Sequence, residues 1–342
     1  MITDVLPHVE IAHLPTPVEP MPRLSSRLNG PALWVKRDDQ TGLATGGNKA
    51  RKLEFLVADA LSEQADTLIT CGASQSNHAR QTAAAAARFG LQAVLVLRGE
   101  APSAVRGNFL LDRLLGANIV WAGDQSLSER MESVSQDLSN AGRRPYVVPY
   151  GGSNPLGVSG YVAAMVELAD QSREQDLAFD HIVLASSSGG TQAGLVVGAQ
   201  MVGYRGHILG ISVEPDATTL QSRLADLATS TSDRLDLNLG FEPQDFDVND
   251  DCLGGGYGVV GDLERQAIHT VATAEGLLLD PVYTGRAFGG LLDLIQHGAF
   301  ERDETVLFWH TGGTGGLFAK GAELLRPEAS DATYGPSDEQ LP

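Results

Sequence analysis

The chain has 342 residues, 42% of them hydrophobic and 20% charged, with a formal net charge of −19. That length suits two lobes of ordinary size, and the composition is that of a globular protein. The acidic balance repels nucleic acid and anionic lipid, no run of about 20 apolar residues could span a bilayer, and two cysteines (Cys71, Cys252) are too few for a disulfide or zinc framework. The start shows no secretory signal, so the expectation is a cytoplasmic protein with neither nucleic acid nor membrane as partner. Only four of the 24 basic residues are lysines (Lys36, Lys49, Lys52, Lys320), three of them within 17 positions.

In chain order, β-branched runs at Leu33–Lys36, Thr67–Cys71, Ala93–Leu97, Tyr146–Val148, His181–Ala185, Ile208–Val213 and Thr305–Trp309 read as strands. Between them, Lys49–Ser62, Asn77–Phe89, Asn108–Leu115, Gln125–Ala141, Gly157–Asp170, Thr191–Val202, Asp262–Glu275 and Ala287–His297 carry helical spacing. Strand and helix in alternation predict an α/β fold of parallel sheets with helices on both faces. The acidic, weakly periodic stretch Ser230–Asp251 reads as a surface insertion, and the Pro-, Ser-, Asp- and Glu-rich Pro327–Pro342 as a disordered tail.

One arrangement recurs three times: a strand, a turn of small polar residues, then a helix. It occurs at Thr67–His78, at His181–Gln192 and at Val306–Gly316. A helix N-terminus presents unpaired N–H groups and positive potential, so such turns hold anions, and three of them favour a ligand with both a phosphate and a carboxylate. The chain lacks GxGxxG after the first strand, a correctly spaced P-loop lysine, a nucleophile elbow, HExxH and CxxC. Between the first two strands lies Thr45-Gly-Gly-Asn-Lys-Ala-Arg-Lys52. Asn48 is the expected N-cap, which puts Lys49 in the first helical turn with Lys52 on the same face. The second cation and the positive helix end would both lower the pKa of Lys49 and free its amine for imine chemistry, with Lys52 suited to a phosphate.

These residues resemble a known family. Gly46-Gly-Asn-Lys-Ala-Arg-Lys-Leu-Glu54, Gln75-Ser-Asn-His-Ala-Arg-Gln81, Gly189-Gly-Thr-Gln-Ala-Gly194, Gly256-Tyr-Gly258, Leu279-Asp-Pro-Val-Tyr-Thr-Gly285 and His310-Thr-Gly-Gly313 are similar to the D-cysteine desulfhydrase and 1-aminocyclopropane-1-carboxylate (ACC) deaminase family, in the family's order and over nearly the whole chain. The resemblance implies a two-lobed fold type II enzyme of pyridoxal 5'-phosphate with parallel-rich twisted sheets covered by helices. It further implies a small lobe at 50–157, a large lobe from 1–49 and 158–326, a homodimer and a small amino-acid substrate. Lys49 matches the lysine that forms a Schiff base with the cofactor and moves the α-proton. Lys52 and Ser188, Gly189, Gly190 and Thr191 match phosphate ligands, and Asn77 matches the residue on the cofactor's phenolic oxygen. Ser76, Asn77 and His78 lie where the substrate carboxylate binds, and Tyr257 and Tyr283 match two active-site tyrosines.

Two positions bear on the reaction. ACC-opening members resemble Tyr-Glu where this chain has Tyr283-Thr284, and His-Leu where it has His310-Thr311; the desulfhydrase-like pattern has threonine at both. A carboxylate beside the pyridine nitrogen would keep it protonated and strengthen the electron sink, whereas a hydroxyl leaves it weaker and suffices for β-elimination. The expected reaction is therefore release of sulfide, pyruvate and ammonia from D-cysteine. L-cysteate sulfo-lyase and, lower, ACC deaminase are alternatives, beside a β-replacement synthase or a non-catalytic anion-binding protein. Gly315, where such members often have proline, and a short Arg98–Asn108 stretch depart from the pattern. His8, His181, His207, His269 and His297 read as surface or packing residues, Cys71 as a buried strand-end residue, and His310 as a site candidate through its motif alone.

Overall fold

A computed structural model describes residues 6–325; the tail expected at Pro327–Pro342 lies outside the described residues. Two sheets organise the chain. The larger joins six strands in the order β1 (Val18–Pro20), β2 (Ala32–Lys36), β10 (Thr305–Trp309), β7 (His181–Ser186), β8 (His207–Ser212) and β9 (Asp247–Asn249). Only the β1–β2 pairing is antiparallel. The smaller is fully parallel, in the order β5 (Asn118–Trp121), β4 (Gln92–Leu97), β3 (Thr67–Gly72) and β6 (Pro145–Val147).

Both sheets are covered on both faces, and alternation along the strands shows it. Leu307 and Trp309 face one apolar cluster while Val306 and Phe308 face another, and Leu68 and Ile69 part in the same way. The first cluster joins the two sheets through α2 (Lys49–Ser62), α6 (Pro155–Glu174), α7 (Gly190–Val202) and α8 (Ala217–Arg234). Close approach of α2 and α6 depends on Gly160, where a Cβ would stand 2.3 Å from the Arg51 carbonyl oxygen. α9 (Asp262–Glu275) and α10 (Thr284–Gln296) cover the other face of the large sheet. We propose residues 50–157 as the small lobe, built on the four-stranded sheet with α3 (Asn77–Arg88), α4 (Gly107–Leu114) and α5 (Leu127–Asn140).

Three expectations need correction. The stretch Ser230–Asp251 is not a surface insertion: it holds the end of α8, with Thr231 and Ser232 fully buried, then buried Phe246 and edge strand β9. α8 itself escapes a periodicity reading because it is rich in Thr and Ser, weak helix formers. Asp216 caps it, accepting from the Thr219 N–H at 2.9 Å, and packing of Leu220, Leu224 and Ala228 holds it in place. Strands β1 and β5 were also unforeseen, both short and at sheet edges.

A buried polar network ties α2 to the large sheet. The Asp38 carboxylate accepts from the Thr16 hydroxyl, Arg51 Nε and Nη2, the Tyr161 hydroxyl and Trp309 Nε1 at 2.5–3.0 Å. Glu167 completes it by accepting from both terminal nitrogens of Arg51 and from Lys36. Burial alone would raise the Asp38 pKa, but the Arg51 guanidinium holds it down to about 2. A depressed carboxylate pKa stabilises the fold above the unfolded value near about 4, and this contribution is lost as pH falls from about 4 toward 2. Asp38→Asn should therefore cost about 3–5 kcal/mol at neutral pH, the penalty for breaking a buried pair, and the loss should shrink below about pH 4. Asp170→Asn, in the exposed pair with Arg173, should cost under about 1 kcal/mol. Urea unfolding midpoints of the two variants check both.

Candidate active site

The turn before α2 aims Lys49 into the space between the sheets. Ala44, Thr45, Gly46 and Gly47 all have positive φ. Gly46 is obligatory there, because a Cβ would stand 2.0 Å from the Asp39 carbonyl oxygen. The Gly47 N–H donates to the Asp38 carbonyl and the Asn48 N–H to the Thr311 carbonyl, both at 3.0 Å, so the turn is fastened to β2 and to the loop after β10. Asn48 is not the side-chain cap expected. Its backbone is already helical, its Nδ2 donates to Thr191 Oγ1 at 3.0 Å, and its Oδ1 accepts from Lys49 Nζ at 3.1 Å.

Burial first, then the positive charge of Arg80, lower the Lys49 pKa to about 8, against an opposing pull from Asp280. The expected influence of Lys52 on Lys49 is replaced by that of Arg80. Lys52 is itself pushed well below its ordinary range, by burial and then by Lys49. Its ammonium donates only to the Gly151 carbonyl at 3.2 Å and Ser153 Oγ at 3.1 Å, with no carboxylate partner among the described residues. Ser153 Oγ lies 2.9 Å from Ser188 Oγ, so lysine and serines form one polar chain behind the cavity wall.

That cavity is lined by Asn48, Lys49, Ser76, Asn77, His78, Tyr150, the Ala185–Gly189 turn, Thr191, Tyr257, Tyr283 and Thr311, among others. Ten of the residues singled out in the sequence thus meet there. Lys52, Gly190 and Thr284 do not reach its surface. Lys52 and Gly190 stand just behind it: a Cβ on Gly190 would lie 2.5 Å from Ser153 Oγ and 2.7 Å from Lys52 Nζ. Thr284 is occupied elsewhere, its hydroxyl donating to Asp280 Oδ1 at 2.9 Å and accepting from the Asp280 N–H at 2.8 Å. Of the two threonines, Thr311 is the one that lines the cavity.

Ser76 caps α3, accepting from the Ala79 N–H at 3.1 Å, while the N–H groups of Asn77 and His78 have no protein acceptor among the described residues. Those two donors suit a carboxylate. The His78 side chain does not. Thr70 already donates its hydroxyl proton to the Val148 carbonyl, so His78 Nε2, 2.8 Å from the Thr70 oxygen, must be the donor of that pair. This leaves Nδ1 a buried acceptor without a partner, and burial, then Lys49 and Lys52, keep the ring neutral. Tyr257 and Tyr283 share a hydrogen bond of 2.6 Å between their hydroxyls, and burial raises the pKa of both. Sequence reasoning missed Asn48 and Tyr150 as wall residues. Tyr150 could have been found: it precedes Gly151 and Gly152 after a strand, a fourth turn of the recurring kind, and both glycines have positive φ.

Known proteins fit this geometry. The family description "Pyridoxal-phosphate dependent enzyme" matches residues 9–312. A Pyrococcus abyssi protein named "Putative 1-aminocyclopropane-1-carboxylate deaminase" is 43% identical over 93% of this chain and 95% of its own. A Salmonella choleraesuis D-cysteine desulfhydrase is 42% identical over 92% of this chain and 96% of its own. A crystal structure described as an ACC deaminase homologue superposes with a TM-score of 0.87 at 40% identity, covering 95% of this chain and 97% of that one. The chain belongs to the pyridoxal-phosphate-dependent enzyme family. It is a fold type II lyase of the ACC deaminase and D-cysteine desulfhydrase type, and no helix among its described residues is long and apolar enough to cross a membrane.

The residues present fit the cofactor. A buried ammonium at Lys52 without a carboxylate partner calls for an anion, and a Cβ at Gly151 or Gly190 would press on the Ser188, Ser153 and Lys52 groups that would hold one. We propose that Lys52, Ser188, Gly189, Gly190 and Thr191 hold the phosphate and Asn77 the phenolic oxygen. Loss of one charge-assisted contact weakens binding about ten- to a hundredfold. Lys52→Ala should weaken pyridoxal-phosphate binding by that factor in a fluorescence titration of the cofactor-stripped protein, while Lys320→Ala leaves it unchanged.

Proposed function

We propose that the enzyme eliminates the β-thiol of D-cysteine, yielding sulfide, pyruvate and ammonia. The observation that carries this reading is the absence of any Asp or Glu from the described residues lining the cavity, with Thr311 among them. Asp280, the carboxylate that acts on Lys49, is spent on the N–H groups of Val282, Tyr283 and Thr284 and the Thr284 hydroxyl. A wall without a carboxylate suits an elimination that needs only a modest electron sink.

Bound pyridoxal phosphate supplies that sink for the electron pair left at the substrate α-carbon. The residues do the rest. The Asn77 and His78 N–H groups and the Ser76 side chain hold the substrate carboxylate at the positive end of α3. Lys49 Nζ, with a pKa near 8, is neutral often enough near neutral pH to accept the α-proton. The hydrogen-bonded Tyr257–Tyr283 pair faces the same space and donates a hydrogen bond to the departing thiolate, the pair's raised pKa values keeping both hydroxyls protonated. The product aminoacrylate takes up water in solution and gives pyruvate and ammonia. We further propose a cytoplasmic homodimer, a state that light scattering measures directly.

The purified enzyme should form pyruvate from D-cysteine with sulfide release. Lys49→Ala should abolish the absorbance band of the lysine-bound cofactor near about 410–420 nm and lower turnover by several orders of magnitude, as expected for a lost nucleophile and base. Sulfite from L-cysteate instead would reassign the leaving group. 2-Oxobutyrate from ACC at a comparable rate would reject the neutral-wall argument and favour the activity in the name of the Pyrococcus relative.

A further inference from the structure

Arg80 is the one large cation near Lys49 that the proposed chemistry leaves unused. It lies on α3 and is fully buried. Its Nη1 donates to the Ala44 carbonyl, to Thr45 Oγ1 at 2.8 Å and to the Gly46 carbonyl at 3.1 Å. These are the residues of the left-handed turn before Lys49, where Ala44 has φ 42° and Thr45 φ 72°. Residues with a Cβ rarely hold that conformation unless something fastens them. Among the described residues no other donor reaches the Ala44 or Gly46 carbonyl. The inner end of the turn is bonded to Asp38 and Thr41, so Arg80 clamps the outer end.

Burial lowers the Arg80 pKa to about 10, against the pull of Asp112, so the guanidinium is charged at neutral pH. No carboxylate lies within ion-pairing distance of it among the described residues. Its electrostatic counterpart is Asp112 on α4, buried with both oxygens lacking partners, which burial raises to about 7 against the pull of Arg80. The charged or titratable groups that face Lys49 are Arg80 from α3, Asp280 from the turn before α10, Lys52 on its own helix, neutral His78, and the phenols Tyr257 and Tyr283.

We propose that Arg80 is the positioning residue for Lys49: it locks the strained 44–46 turn that aims the lysine and sets a guanidinium charge beside the turn. From the proposed function this takes only that the Lys49 amine is the working group. The scarcity of lysine makes it testable, because only four side-chain amines exist in the chain.

The test is trace acetic-anhydride labelling of the full-length, cofactor-stripped chain across pH 6–11, with each lysine read by mass spectrometry and Lys320 as internal standard. Wild-type Lys49 should label with a midpoint near 8. In Arg80→Gln the midpoint should rise by about one unit, a fall of about fivefold in labelling at pH 8. Arg80→Lys should restore the midpoint but not the clamp, so amide exchange over residues 42–48 should quicken. An unmoved Lys49 midpoint in folded Arg80→Gln overturns the proposal. Should that variant not fold, unchanged exchange over 42–48 in Arg80→Lys overturns it instead. The labelling uses neither cofactor nor substrate, so failure of the lyase reading would appear separately, as no keto acid from D-cysteine, L-cysteate or ACC.

Discussion

The site depends on one buried carboxylate. Asp38 gathers donors from the N-terminal segment, α2, α6 and the end of β10, and Glu167 closes the network from the other side of Arg51. A buried ion pair contributes little net stability, because desolvation offsets most of its attraction. What it confers here is position. Arg51 sits two residues after Lys49, and Trp309 sits two before Thr311. The same carboxylate therefore orients the turn that carries the lysine and the strand end that closes the cavity opposite it.

Charge is distributed against the sign of the whole molecule. In a chain of net charge −19, the cations gathered around the cavity are half-buried Lys49 and buried Lys52 and Arg80, none in an ion pair among the described residues. Asp280 lies close but is turned to the N–H groups of its own turn. Buried cations left unpaired are costly unless an anion joins them, so a Lys52 ammonium with only a carbonyl and a hydroxyl as partners supports the phosphate site we propose. The same concentration of positive charge lowers the pKa of every amine within it. One arrangement thus serves both cofactor retention and lysine reactivity.

Much of the fold was legible because strand and helix periods differ. Seven strands and eight helices were expected near where they stand, since both sheets are covered on two faces and their strands read as apolar runs. α8 was not, because its Ser- and Thr-rich sequence lacks intrinsic helix preference and only Leu220, Leu224 and Ala228 hold it. The strand-turn-helix repeats and the lysine cluster pointed to the site, and Lys49, Asn77, Ser188, Tyr257, Tyr283 and Thr311 do meet around one cavity. Thr284 was misjudged: it lies next to a wall residue in sequence, yet its hydroxyl turns inward to Asp280. Asn48 was read as a cap from its residue type and position, but the same amide reaches Thr191 at the start of α7 instead.

The sequence by itself determined the layered α/β class, the strand–turn–helix loops and the lysine that stands among them, because these follow from periodicity, from small residues beside helix starts and from the rarity of lysine. Tertiary structure decided which neighbours set that lysine's proton affinity and which of the two threonines lines the cavity. Arg80 lies 31 positions from Lys49 and Asp280 lies 231 away, and Coulomb interactions depend on distance in space, which sequence separation does not report. His78 shows the same limit: its neutral tautomer follows from Thr70 having already donated its proton to Val148, a fact that exists only once β3 and β6 are side by side.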